Sequence, residues 1–315
     1  MFVHSVQGTG MELKKVKDAA GNSLTVLEYE GRWLPDFPRE ALAGMKTFKA
    51  REDDVIVCAY PKSGTHWVWE MVRILLAGTT DLQMIEKDDG MMEYTIPEEL
   101  ERTPSPRSLN THYHFEMLPA SLFRKKCRIV YITRDPKDVA VSYYNHHRKL
   151  AELYQYEGEW KDYFPLFLSG QLDYESWFAY TKGWEQGIKD HPELPIHITS
   201  YEELQRDTFG GLKKLAAFLG VETEDSFLIK VVKKCSFDTM RATKGTNETF
   251  GVQHSPIMYR KGKVGDWKNW FTIAQYEQLN DVFEKEMTGT RIYELYSQTK
   301  QRILEPNRNI IDGYE

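Results

Sequence analysis

The run Val55-Ile56-Val57-Cys58-Ala59 leads directly into Tyr60-Pro61-Lys62-Ser63-Gly64-Thr65-His66-Trp67 and then Val68-Trp69-Glu70-Met71-Val72. A short apolar run closed by a Pro- and Gly-containing turn predicts a buried strand, and the apolar spacing after Trp67 predicts a helix. Strand, tight turn and helix in succession make a phosphate cradle. The first N–H groups of a helix lack partners within it and carry partial positive charge. Gly64 permits close backbone approach, while Lys62, Ser63 and Thr65 add a charge and hydroxyl donors. A Walker loop would require Gly-Lys-Ser/Thr, but here Lys62 precedes Gly64. The hydroxyl that holds Mg²⁺ in an NTPase is therefore not placed by that rule, which argues against ATP hydrolysis and against a Mg²⁺-dependent kinase.

The same alternation recurs outward from this stretch. Cys127-Arg128-Ile129-Val130-Tyr131-Ile132-Thr133 reads as a second buried strand. Arg134-Asp135-Pro136 then turns into a helix with Pro136 near its start, bringing Arg134 and Ser142 to one end of the sheet. Residues 195–201 predict a further short strand entering a helix, and 24–35 a small hairpin. Helical periodicity is clearest over 174–190, 208–219, 224–234 and 273–287. Strands alternating with helices predict an α/β fold: a single domain with a central, mostly parallel sheet flanked by helices, binding its ligand outside the strands' carboxyl ends. The expected division is an N-terminal segment with a small hairpin (1–35), the main domain (36–295) and a C-terminal tail (296–315). Two stretches without periodicity, 87–107 and 244–265, are long enough to serve as lids or binding loops.

A second basic segment, Arg260-Lys261-Gly262-Lys263-Val264-Gly265-Asp266-Trp267-Lys268-Asn269-Trp270-Phe271-Thr272, suits a terminal phosphate: adjacent cations, glycines, and a guanidinium able to donate as a fork. With the cradle and the Arg134 turn in this order, the chain resembles the cytosolic sulfotransferase family over roughly residues 30–290. The resemblance implies 3′-phosphoadenosine 5′-phosphosulfate (PAPS) as cofactor, 3′,5′-adenosine bisphosphate (PAP) as product, and no metal. It implies that Lys62, Ser63, Gly64, Thr65 and His66 surround the 5′-phosphate. Arg134, Ser142, Arg260, Lys261 and Gly262 would hold the 3′-phosphate. Trp67 and Phe237 would sandwich the adenine, with Tyr201 at its polar edge. Ser142 would also restrain Lys62 until the acceptor arrives, and Lys62 would donate to the bridging oxygen as charge grows on the departing phosphate.

In Ser108-Leu109-Asn110-Thr111-His112-Tyr113-His114, His112 corresponds to the family's catalytic histidine. A neutral imidazole with an ordinary pKa near 6.5 can take the acceptor's proton, an effect worth about 10²–10⁴-fold. Asn110 departs from the family pattern by replacing a lysine that touches the sulfuryl group. Stabilisation should fall by about 1–2 kcal/mol unless another cation compensates. His114 would share a face with His112 in an extended chain and is the reserve candidate for the base. His146, His147 and Tyr144 are expected to line the acceptor pocket rather than bind metal, because adjacent helical residues do not converge. The aromatic stretches at 154–156, 163–167 and 177–180 offer an apolar wall, so the small-molecule acceptor is expected to be a phenol, a hydrophobic alcohol or an amine.

At 315 residues and 41% hydrophobic, the chain can bury one large core. No apolar run reaches about 18 residues and the start lacks the signal-peptide pattern, which predicts a cytoplasmic protein with no membrane partner. Three cysteines cannot all pair within the chain and read as reduced thiols. A formal net charge of −6 argues against nucleic acid, while the cradle cations supply a local positive field. Lys268, Thr272, Ile273 and Glu277 resemble the family's short dimer motif and imply a homodimer. The competing reading is a regulatory module that binds the bisphosphate but, with Asn110 in place of lysine, does not turn over.

Overall fold

The computed structural model describes residues 10–83, 85–244 and 259–296. A three-stranded antiparallel sheet comes first: β1 (Glu12–Lys17), β2 (Ser23–Tyr29) and β3 (Arg32–Leu34). The hairpin expected at 24–35 is its second half. β1 escaped notice because four of its six residues are charged and exposed and only Val16 is buried, so no apolar alternation marks it.

The main sheet consists of β4 (Val55–Ala59), β5 (Ser108–Thr111), β6 (Arg128–Thr133) and β7 (Ile196–Ser200), in the order β5-β4-β6-β7. All its pairings are parallel. Every residue of β4 is buried, as expected of a central parallel strand covered on both faces. Val55, Val57 and Ala59 pack with Val68, Val72, Leu215 and Leu228 on one face. Ile56 and Cys58 join Tyr131 and Trp184 on the other. The fold is thus a single α/β domain with a parallel sheet between helical layers.

Helices occupy Thr65–Ala77, Pro136–Lys149, Trp177–Asp190, Thr208–Leu219, Asp225–Lys234 and Ile273–Met287, close to the predicted spans. The third starts at Trp177 rather than 174 because Tyr174 and Glu175 have φ of 57° and 58°, outside helical space. Ser176 caps it, its Oγ accepting from Ala179 N at 3.3 Å. The Pro-containing helix Trp160–Ser169 buries Tyr163, Phe164 and Phe167, one of the aromatic stretches expected at the acceptor pocket.

The stretch 87–107 is more ordered than expected, with a helical turn at Asp88–Gly90 and the helix Pro97–Arg102. Met91 bridges to Asn110 on the outer edge of β5. Of the expected binding loop 244–265, residues 245–258 lie outside the described residues, as do 1–9 and 297–315 of the terminal segments. All three cysteines are buried and free. No helix among the described residues is long and apolar enough to cross a membrane.

Candidate functional site

Parallel register aligns the carboxyl ends of the four strands: Cys58 pairs with Thr111, Ala59 with Ile132, and Thr133 with Ser200. Tyr60, His112, Arg134 and Tyr201 therefore leave the sheet at a common edge. One cleft there is lined by Lys62, Gly64, Thr65, His66, Trp67, His112, Arg134, Ser142, Tyr201, Phe237, Arg260, Lys261 and Gly262. The two basic segments, far apart in sequence, share this cleft. Among the residues expected at the site, Ser63 does not line the cleft; it is fully buried.

The turn is built for an anion. Lys62 has φ 67°, an uncommon conformation for a side-chain-bearing residue. Arg134 steadies it, Nη1 donating to the Lys62 carbonyl at 2.8 Å. Gly64, at φ 104°, occupies the cap of the helix Thr65–Ala77 with no side-chain capping bond; Trp67 N donates to the Gly64 carbonyl at 3.1 Å, which leaves the N–H groups of Thr65 and His66 to a ligand. A Cβ there would lie 2.8 Å from the Tyr201 ring, so glycine is required sterically as well. Among the described residues, Ser63 Oγ, Thr65 Oγ1 and Arg134 Nε are buried without a hydrogen-bond partner. Orphaned polar atoms around an open helix start fit a phosphate-bearing group.

Opposite the turn, Arg260 and Lys261 each meet Asp266 at 2.6 Å. Burial pushes the Asp266 carboxyl up, but hydrogen bonds from Lys261, Asn269 and Arg260 outweigh it and hold the pKa at about 2. Asp138, in the first turn of the helix Pro136–Lys149, fastens this loop by accepting from Gly265 N at 2.6 Å and Trp267 N at 3.0 Å. Gly262, at φ 62°, abuts Phe237, where a Cβ would come within 2.2 Å of the ring.

In the first turn of the helix Thr65–Ala77, Trp67 Nε1 donates to the Cys235 carbonyl at 2.8 Å, orienting the ring. Tyr201 packs edge-on to Trp67 and lies beneath the Arg134 guanidinium, 4.2 Å from ring centroid to Cζ. Tyr259, unmarked in the sequence reading, contacts both His66 and Phe237.

His112 directly follows β5. Its Nδ1 lies 2.7 Å from the Ala59 carbonyl oxygen. A carbonyl can only accept, so Nδ1 carries the proton and Nε2 the lone pair. Glu93 Oε1 accepts from His112 N at 2.6 Å and from Tyr174 OH at 3.1 Å. Burial, then the Lys87 charge, push the imidazole well below its ordinary value, against the Ala59 hydrogen bond, with Lys62 adding to the depression. Lys62 Nζ lies 3.4 Å from His146 Nδ1. Burial and the charges of Lys87, Arg134, Arg260 and Lys149 bring the Lys62 pKa down from 10.5 to about 7.

Other expectations require correction. His114 does not line the cleft; it is buried edge-on to Tyr180 because the strand ends at Thr111 and the chain turns away. Asn110 also avoids the cleft, its Nδ2 donating to the Lys87 carbonyl at 2.8 Å. His146 lines the cleft, but His147 is fully buried between Tyr163 OH and Asp173 Oδ1, both at 2.8 Å. Tyr144 packs on Trp160 and Trp270 instead. Among the aromatic stretches expected as a wall, Tyr154 is the contributor; Phe37, Tyr143 and Tyr174 supply the rest. Among the described residues no cluster of three or more His, Cys, Asp or Glu could hold a metal ion.

A family model described as "Sulfotransferase domain" matches residues 52–291. The chain is 36% identical to sulfotransferase 1B1 of dog (Canis lupus familiaris) over 79% of its length and 88% of the relative's. It is 32% identical to human sulfotransferase 1C2 over 86% and 96%, respectively. A crystal structure of mouse sulfotransferase SULT7A1 complexed with PAP superimposes with a TM-score of 0.74 at 31% identity, covering 87% of this chain and 99% of that one. Retinol dehydratase, at 21% identity and a TM-score of 0.67, shares the fold. Together the matches show that this chain belongs to the sulfotransferase family of PAPS-dependent transferases.

Proposed function

We propose that this protein moves a sulfuryl group from PAPS to a hydroxyl or amine of an apolar small molecule. The observation that carries the proposal is the joining of both basic loops and a correctly tautomeric His112 in one cleft. When bound, PAPS supplies the sulfuryl group, which gains a bond to the acceptor oxygen or nitrogen as its bond to the 5′-phosphate oxygen breaks. The solved relative complexed with PAP supports a bisphosphate nucleoside in the equivalent cleft.

Gly64, Thr65 and His66 offer backbone N–H groups to the 5′-phosphate, and Thr65 adds a hydroxyl. Lys62 donates to the oxygen that gathers charge on leaving. Arg134, Ser142, Arg260 and Lys261 hold the 3′-phosphate, with Asp266 keeping the last two cations at the wall. Trp67 and Phe237 take the adenine faces. Nε2 of His112 accepts the acceptor's proton, and the Ala59 carbonyl holds the tautomer throughout.

The acceptor wall decides substrate class. Tyr143 OH donates to the Asp173 carbonyl at 3.1 Å, Tyr154 OH to Asp173 Oδ2 at 3.2 Å, and Tyr174 OH to Glu93. With those hydroxyls engaged, Tyr143, Tyr154, Tyr174 and Phe37 present carbon surface, which suits a phenol or hydrophobic alcohol. A bisphosphate-binding module without turnover would need no proton acceptor, so the His112 geometry favours the enzyme. Radiolabelled PAPS assayed against phenols, sterols, catecholamines and aliphatic alcohols should give turnover lost in His112→Ala. Tight PAP binding without transfer to any acceptor would favour the silent module.

A further inference from the structure

Lys87 is 1% exposed yet lines the cleft with Lys62, His112 and His146. Among the described residues, its Nζ has Met91 Sδ at 3.8 Å as hydrogen-bond partner, a weak acceptor. A buried ammonium without an ion-pair partner is costly, and its retention points to a ligand that brings the missing negative charge. After burial, Lys87 is the largest electrostatic influence on Lys62, His66 and His112. It therefore sits among the groups expected to surround the reacting atoms.

Asn110 holds it there. The fully buried amide donates to the Lys87 carbonyl at 2.8 Å, and Met92 N donates to the Asn110 carbonyl at 3.0 Å. Gly90 lets the segment lie against the strand, since a Cβ there would come within 3.1 Å of the Ser108 carbonyl oxygen. Glu93 then accepts from His112 N. Residues 87–93 are thus stitched to β5 and its continuation, with Lys87 bound to the register of Asn110 and His112.

We infer that Lys87 is the cation facing the transferring sulfuryl group, and that Asn110 is its positioning residue, so position 87 supplies the charge missing at position 110. The assignment rests on the sulfotransferase reading. Burial lowers the Lys87 pKa against the charges of Asp88 and Glu93; the bound polyanion favours the ammonium, which loses no proton in the step. It offsets charge on the sulfuryl oxygens while the acceptor gains its bond to sulfur, the electron pair of the broken bond stays on the phosphate oxygen, and the proton goes to His112.

Calorimetry with PAP and with PAPS, without acceptor, and single-turnover rates in wild type, Lys87→Met, Lys87→Arg, Asn110→Ala and the Met/Ala double variant test this. Lys87→Met should leave PAP affinity within about twofold, weaken PAPS about tenfold relative to PAP, and slow transfer by about 10–100-fold. Lys87→Arg should recover most of both. Asn110→Ala should show part of the defect and add little to Lys87→Met. Unchanged PAPS-to-PAP preference and rate in Lys87→Met, or equal loss of both nucleotides, would overturn the assignment. A wild type that binds neither nucleotide would overturn the sulfotransferase reading, and the assignment with it.

Discussion

At the residue scale, chemistry concentrates on His112 and Lys62. Truncating His112 removes a proton acceptor but no proposed nucleotide contact, so His112→Ala should lower kcat by about 10²–10⁴-fold while PAP affinity changes by less than about twofold. An equal loss of PAP binding would show that His112 supports the cradle instead. Lys62 predicts a pH dependence. Its free-state pKa is about 7, and the bound polyanion raises it, so binding above pH 7 takes up a proton. Observed PAP affinity should fall towards tenfold per unit from pH 7.5 to pH 9, and the slope should vanish in Lys62→Met. An affinity that is flat across that range in wild type would remove the charged-lysine contact. The turn at Lys62 and Gly64 was legible in the sequence because strand, tight turn and helix are written there in succession, and Arg134 because it opens a second such turn. The separation of His112 from His114 was not, because it depends on the strand ending at Thr111 and the chain turning there.

At the element scale, the helix Pro136–Lys149 does two things: it follows the Arg134 turn, and through Asp138 it anchors the Arg260 loop. Asp138 accepts two backbone hydrogen bonds from that loop, each worth about 1.5–3 kcal/mol to a charged acceptor. Part of that energy is recovered when the nucleotide itself orders the loop, so Asp138→Ala should weaken PAP by about 10–100-fold, as calorimetry would read. Unchanged affinity would mean that the loop holds its place without the anchor. The long helices were visible from apolar spacing, and the start at Ile273 agrees because its Thr272 cap is local, whereas the start at Trp177 was misplaced because the positive φ of Tyr174 and Glu175 leaves no mark in the apolar spacing. β5 was missed: four residues, three of them polar, look like loop until β4 supplies the pairing. The segment 87–93 was missed for a related reason, since its order comes from β5 rather than from itself. The aromatic stretches misled because core and cleft residues share the same helical spacing, as Tyr163 in the core and Tyr154 at the cleft illustrate.

At the scale of the whole molecule, a chain of net charge −6 gathers Lys62, Lys87, Arg134, Arg260, Lys261 and Lys263 around one cleft, which focuses attraction for a polyanion. The proposed homodimer concerns a different surface. Ile273 is 79% exposed at the start of its helix, where Thr272 makes a capping box with Gln275, and Lys268 and Glu277 are exposed nearby. If that patch pairs two copies, Ile273→Glu should convert a dimer to a monomer in analytical ultracentrifugation with kcat unaltered; a wild type already monomeric at micromolar concentration would remove the dimer. The parallel sheet with its ligand edge was legible from three strand–turn–helix units, whereas the extent of the N-terminal sheet was not, because exposed charged strands carry little pattern. The central claim is that the Lys62 and Arg260 loops grip opposite ends of one doubly phosphorylated adenosine. Its most direct test is a calorimetric comparison of PAP with adenosine 5′-monophosphate in wild type and Arg260→Ala. Wild type should prefer PAP by at least about tenfold and the variant should lose most of that preference. A variant that distinguishes the two nucleotides as well as wild type does would contradict the account.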